Sequence, residues 1–249
     1  MQQDQQIIMG MLCIFQKGFN YAQDGPGNRL VYHLQGCNLS CPWCSNPEGM
    51  PFDGGETETV EHLLEEADRC RPLFFDGGGV TFTGGECTCR FDALKAALIG
   101  LRERQINTAI ETNGTHPRLP ELFPLLDTLI MDCKHYCDAI HQQVVGLGNQ
   151  QILKNLRLAM ASHPHLIIRI PLIGGFNASE KDMDEFAAIL KPYASNGTAV
   201  ELLRYHEYGK DKWAKCGMKY TVENAFVSEE ERKRYEDILS GHGLHIVRT

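Results

Sequence analysis

Basic residues are in short supply in this chain of 249 residues: 24 Lys and Arg stand against 32 Asp and Glu, a formal net charge of −8. That balance repels a polyanionic duplex, which argues against a non-specific nucleic-acid binder. Long apolar runs are missing too. The most apolar stretch, residues 166–176, is cut by Arg169 and is far shorter than the roughly 20 residues a spanning helix needs, so no membrane segment is expected. Residues 1–15 hold no Lys or Arg ahead of their apolar stretch, so the charged region of a secretory leader is lacking and a cytoplasmic location is the expectation. Proline- or serine-rich linkers and low-complexity breaks are absent as well. One domain over residues 1–249 is therefore expected, with 1–28 leading into it. What is plentiful is apolar material: 43% hydrophobic against 22% charged residues suffices for one sizeable core and excludes a disordered chain.

Short β-branched runs alternate with segments of helical period from end to end. Strands are predicted at residues 29–35, 80–83, 107–111, 128–132, 166–171 and 199–205. Val60, Leu63, Leu64 and Ala67 share one helical face, and Leu94, Leu98 and Leu101 recur on the next helix. A helix over 150–162 follows, and Ser179 caps another that carries Met183, Phe186, Ala187 and Leu190 and stops before Pro192. Ser228 and Glu231 form a capping box for the last helix, and residues 244–247 are a candidate final strand. The tally is about six parallel βα units, fewer than the eight of a complete barrel. The expected fold is α/β, a partial (β/α)6 open TIM-type barrel of parallel strands in a single domain. In such folds function gathers at the carboxyl ends of strands.

Ten cysteines in a chain of this length without an export signal should stay reduced, and clustered ones are better read as ligands. Cys37, Cys41 and Cys44 form the one tight cluster, C-x3-C-x2-C, in a loop after the first predicted strand. Zinc is one reading, which asks for four closed ligands, with His33 as a fourth. The other is a four-iron cluster with one iron left open, where the amino and carboxylate groups of a methionine moiety chelate and bring the sulfonium of S-adenosylmethionine beside an electron donor. Spacing leaves both standing. Trp43, directly before the last cysteine, favours the cluster.

C-x3-C-x-aromatic-C after a first strand of an α/β chain resembles the signature of the radical S-adenosylmethionine superfamily. Three more motifs narrow the resemblance: Asp24-Gly25-Pro26-Gly27-Asn28-Arg29, residues 77–86 ending in Thr83-Gly84-Gly85-Glu86, and Tyr205-His206-Glu207-Tyr208-Gly209-Lys210. Together they look like a glycyl-radical-enzyme activating enzyme, nearest in pattern to the pyruvate formate-lyase activases, over most of the chain from about residue 15. Between Cys44 and Val80 stands only Cys70, so the chain resembles the short form without a ferredoxin-like insert.

The resemblance implies one 4Fe–4S cluster on Cys37, Cys41 and Cys44, with Trp43 beside the cofactors. It implies that Gly84, Gly85 and Glu86 hold the amino group of S-adenosylmethionine. Glu111, ahead of Thr112, and Asp132 would bind a monovalent cation, Glu111 standing one methylene longer than the family's Asp. Lys134 would face the methionine carboxylate. Arg169 would contact the methionine part, an ion pair with Glu111 or Asp132 being its structural alternative. His206 would lie beside ribose and adenine. Asp24, Gly25, Pro26 and Gly27, by themselves a turn, would meet the partner's glycine loop at the barrel mouth. Cys87 and Cys89 are read as free thiols.

The implied reaction takes one electron from flavodoxin or ferredoxin, cleaves S-adenosylmethionine to methionine and a 5′-deoxyadenosyl radical, and removes a glycine Cα hydrogen from a glycyl radical enzyme. No catalytic residue beyond the cofactor ligands is implied. Two alternatives remain at this stage: a radical enzyme acting on a small molecule, as in deazapurine synthesis, and a zinc-stabilised binding module without catalysis.

Overall fold

The computed structural model describes residues 10–194 and 197–249; the expectation for the amino-terminal residues 1–9 lies outside them. In chain order the elements are β1 (Met11–Tyr21), β2 (Asn28–Leu34), β3 (Glu56–Thr59), α1 (Val60–Cys70), β4 (Gly79–Gly84), α2 (Phe91–Glu103), β5 (Asn107–Thr112) and β6 (Thr128–Asp132). They continue as α3 (Asp138–Val145), α4 (Gln150–Ser162), β7 (Leu166–Leu172), α5 (Glu180–Leu190), β8 (Thr198–Arg204), α6 (Lys210–Lys215) and α7 (Glu229–Gly241). Among the described residues no helix is long and apolar enough to cross a membrane.

Two compact units are distinguishable. The first takes the chain up to Asn38 with Glu48–Thr112 and Glu121–Leu129; the second takes Leu39–Pro47, Asn113–Pro120 and Ile130–Thr249, so β6 contributes residues to both.

In the first unit the strand order is β3-β1-β2-β4-β5-β6. β2, β4 and β5 run parallel, with Leu30 opposite Val80 and Phe82 opposite Ile110. Leu34, Val80, Phe82 and Ile110 are fully buried, as expected for parallel strands covered on their faces. α1 lays Leu63, Leu64 and Ala67 on this core, and α2 lays Leu94, Leu98 and Leu101 there. Each such leucine contributes about 1.5–3 kcal/mol of burial. Thr59 caps α1, its hydroxyl accepting from the His62 amide. The all-parallel expectation needs one correction: β1 pairs antiparallel with both β2 and β3. β1 reaches β2 through a turn of residues 22–27, too short for the crossover that a parallel neighbour requires.

In the second unit the order is β6-β7-β8, and β7 lies parallel to β8 with Arg169 opposite Glu201. Ser179 caps α5 by accepting from the Asp182 amide, and α7 opens on the Ser228–Glu231 capping box. The strand expected at 244–247 is reduced to a single parallel bridge, Val200 to Ile246. The six predicted βα strands thus stand as β2 and β4–β8, in a mostly parallel, open α/β architecture.

Candidate functional site

The cysteine loop follows β2 directly. In the first unit, the Gly36 amide donates to Gly49 O at 2.9 Å and the Cys37 amide to Met50 O at 3.0 Å, which fixes the loop's start. The end of β4 lies alongside. The Gly85 amide donates to Leu34 O at 2.9 Å and the Glu86 amide to Gly36 O at 2.8 Å, so Glu86 is tied to the residue preceding Cys37. Gly85 is glycine for want of space: a Cβ there would meet the Gly36 and Gly49 carbonyl oxygens at 2.4 Å.

Glu86 is buried, and its carboxylate is aimed by hydroxyls. Thr112 Oγ1 donates to Oε1 at 2.6 Å, Thr88 Oγ1 at 2.5 Å and the Thr88 amide at 2.9 Å. Beside it, Thr83 Oγ1 donates to Glu111 Oε2 at 3.1 Å. Two carboxylates, Glu86 and Glu111, are therefore held at the carboxyl ends of β4 and β5. Cys87 packs beneath them, its thiol on Glu111 O at 3.4 Å. Burial, then the Glu86 charge, pushes Cys87 well above the ordinary thiol range, and burial pushes Cys89 up to about 11. Thiols raised in this way are poor nucleophiles.

In the second unit the rest of the cysteine loop meets the segment after β6. Burial pushes the Cys41 thiol up to about 12, opposed by Lys134 and reinforced by Cys44 and Asp132. Lys134 is ion-paired to Asp132. The Ser40 amide donates to Val145 O at 3.0 Å, docking the loop on the end of α3. Trp43 packs on Phe176 with ring centroids 4.9 Å apart, and Phe176 in turn touches His135 at 4.9 Å. His206 lies half-buried under the exposed Tyr208 ring, 4.2 Å between centroids, and burial lowers its pKa.

Arg169 is buried and pairs with Glu201, Nε to Oε2 at 2.8 Å. Glu201 is an ion-pair partner that the sequence reading did not name: parallel register sets positions 169 and 201 side by side on neighbouring strands. Thr249 completes the group, its amide and hydroxyl both donating to Glu201 Oε1 at 2.7 Å.

One predicted placement is corrected. Residues 24–27 precede β2, so they sit at the amino ends of the parallel strands, not at the carboxyl mouth. Arg29 ties them there, donating to Pro26 O at 3.1 Å, Gly77 O at 3.3 Å and Asn107 Oδ1 at 3.0 Å. Gly84–Glu86 lies at the other end of the paired run Leu30–Leu34 with Val80–Gly84, a run about 13 Å long at 3.3 Å per residue.

Thr88, Glu201 and Trp213 are site-building residues that pattern reading missed. Thr88, two residues after an acid at the start of a turn, carried a capping signal; Trp213 is one of only two tryptophans in the chain.

The donor set fits a four-iron cluster: three cysteines of one loop, each thiolate taking a separate iron, leave the fourth iron open. An amide already serves one of these sulfurs, the Asn46 N–H donating to Cys44 Sγ at 3.4 Å.

Comparison with known proteins agrees with this chemistry. A family model described as the Radical SAM superfamily matches residues 31–187. The pyruvate formate-lyase 1-activating enzyme of Escherichia coli K12 is 30% identical, with 90% of this chain and 93% of the relative covered. The choline trimethylamine-lyase activating enzyme of Oleidesulfovibrio alaskensis is 29% identical, covering 86% and 90%. That alignment runs to 278 positions against 230 for the E. coli protein, so the former relative carries residues that this chain lacks. A crystal structure of a domain of pyruvate-formate lyase-activating enzyme from Bacteroides vulgatus superposes with a TM-score of 0.55 at 30% identity, covering 68% of this chain and 98% of that one. With a family match over more than half of its length and a 30% identical relative aligned over 90% of it, the chain belongs to the radical SAM superfamily, among the glycyl-radical-enzyme activating enzymes.

Proposed function

We propose that this chain activates a glycyl radical enzyme, with residues 1–249 working as one radical SAM domain, and that Cys37, Cys41 and Cys44 hold its single 4Fe–4S cluster. The cluster and S-adenosylmethionine supply the difficult chemistry when bound: one-electron cleavage to methionine and a 5′-deoxyadenosyl radical, which takes a glycine Cα hydrogen from the partner. The observation that carries this reading is the 2.8 Å bond from the Glu86 amide to Gly36 O, which seats a hydroxyl-aimed carboxylate beside the first cluster cysteine.

The chain's own residues bind and orient. Glu86, with the Gly84–Gly85 backbone, receives the ammonium group, and Thr112 acts through Glu86 by aiming Oε1. Lys134 faces the methionine carboxylate, and Arg169, fixed by Glu201, the methionine part. Glu111 and Asp132 serve a monovalent cation. His206 lies against ribose and adenine, and Trp43 walls the cluster. Asp24, Gly25, Pro26 and Gly27 engage the partner from the amino ends of the strands. Theirs is a docking contact at a distance from the reacting atoms. Flavodoxin or ferredoxin delivers the electron in the cytoplasm.

Anaerobic reconstitution with iron and sulfide, followed by dithionite and S-adenosylmethionine, should yield a brown protein that forms 5′-deoxyadenosine. Cys41→Ala should abolish both while leaving most of the fold intact. Tetrahedral zinc uptake with no chromophore in the wild type would overturn the function; cleavage unchanged in Cys41→Ala would overturn the ligand assignment.

A further inference from the structure

The cysteine loop is fastened a second time, by a short stretch far away in sequence. Trp213 is buried, and its indole Nε1–H donates to Cys44 O at 2.9 Å. Lys212 Nζ donates to Asn46 Oδ1 at 3.1 Å. Gly209 lies so close that a Cβ would meet Cys44 O at 2.7 Å and Ser45 O at 2.8 Å. Its φ of −84° is ordinary, so only the close approach demands glycine there. All three contacts fall on residues 44–46, the stretch whose Asn46 amide donates to Cys44 Sγ.

This stretch is itself braced. Trp213 packs edge-on to Tyr220 at 5.6 Å, and Tyr220 shares a 2.7 Å hydrogen bond with Tyr205 at the end of β8. A general core role would explain a buried tryptophan. It would not explain an indole donor, a lysine and an excluded side chain all converging on one cysteine and its sulfur-bonded neighbour. N–H···S bonds stabilise the more negative, reduced state of a cluster and raise its potential.

We propose that residues 209–213 form a latch on the third cluster cysteine: Trp213, Gly209 and Lys212 are positioning residues that fix the Cys44 backbone and, through Asn46, the hydrogen bond on its sulfur. Because this rests on the cluster assignment above, the test has one arm that needs no cluster. In the full-length apo protein, Trp213→Phe keeps the ring, loses the donor and should raise the alkylation rate of Cys44 about fivefold, the factor expected from one net hydrogen bond, with Cys41 unchanged. Gly209→Ala should do the same. Lys215→Ala, an exposed change on α6, is the control and should change nothing.

In the reconstituted protein, Trp213→Phe should move the cluster midpoint to a more negative value by a similar fivefold factor, about 40 mV at 59 mV per tenfold, and speed iron loss to a chelator. Unchanged Cys44 alkylation, or equal rises at Cys41 and Cys44, overturns the latch. So does an unchanged midpoint. A wild type that takes up no cluster while the alkylation effect stands overturns the proposed function and the tuning of potential but leaves the latch on Cys44.

Discussion

Arg29 offers a sharp separation between docking and chemistry. It is fully buried and spends its guanidinium on six neutral oxygens: Thr81 Oγ1 at 2.6 Å, Val80 O at 2.8 Å, Asn107 Oδ1 at 3.0 Å, and the carbonyls of Pro26, Gly77 and Asn107 at 3.1, 3.3 and 3.4 Å. Arg29→Met keeps the stem and removes the fork. Stranding buried acceptors in one network costs about 3–5 kcal/mol in total. Against this stands the guanidinium's own burial, which lowers its pKa from 12.5 to about 10, a penalty of roughly 3 kcal/mol that methionine does not suffer. The two nearly cancel, so the net loss should be at most about 2 kcal/mol, or a melting temperature lower by no more than about 8 °C at this chain length. Residues 24–27, however, lose their anchor at Pro26 O. The variant should therefore cleave S-adenosylmethionine at close to the wild-type rate without its partner, yet form glycyl radical on the partner far more slowly by electron paramagnetic resonance. Equal loss of both activities would refute the separation, and so would full activation of the partner by a variant whose melting point has fallen.

Removing the hydroxyl that aims Glu86, in Thr112→Val, should weaken S-adenosylmethionine binding by about 1.5 kcal/mol, close to tenfold, measured by equilibrium dialysis of the reconstituted protein; unchanged affinity would dissociate Glu86 from the ammonium. Stability should also depend on pH through His135 and His141, both buried and both lowered by that burial. His141 Nδ1 is spent on Leu147 O at 2.5 Å, and its Nε2 is buried without a partner among the described residues. Because the folded pKa lies below the unfolded value of about 6.5, the unfolded chain takes the proton first as pH falls. The melting temperature should hold level above about pH 7, fall below pH 6.5 and flatten once the folded histidines protonate. His141→Gln should shallow that slope, and an unchanged slope would remove His141 from the account.

Local rules made much of this protein legible in its residues. Strand ends at Asp132 and Leu166, the helix over 150–162 and the caps at Ser179 and Ser228 follow from side-chain period and from hydroxyls that satisfy their own helix amides, interactions complete within a few residues. The cysteine spacing and the Gly-Gly-Glu segment are equally local, which is why the family resemblance that implies the cofactors could be recognised from them. Three features depend on packing between distant segments, and only the tertiary structure decided them. Arg169 pairs with Glu201 because two parallel strands align in one register among several that periodicity allows. Residues 24–27 lie at the amino ends of the strands because β1 returns antiparallel beside β2. Trp213 reaches Cys44 across 169 positions of sequence, a contact that no short-range pattern encodes.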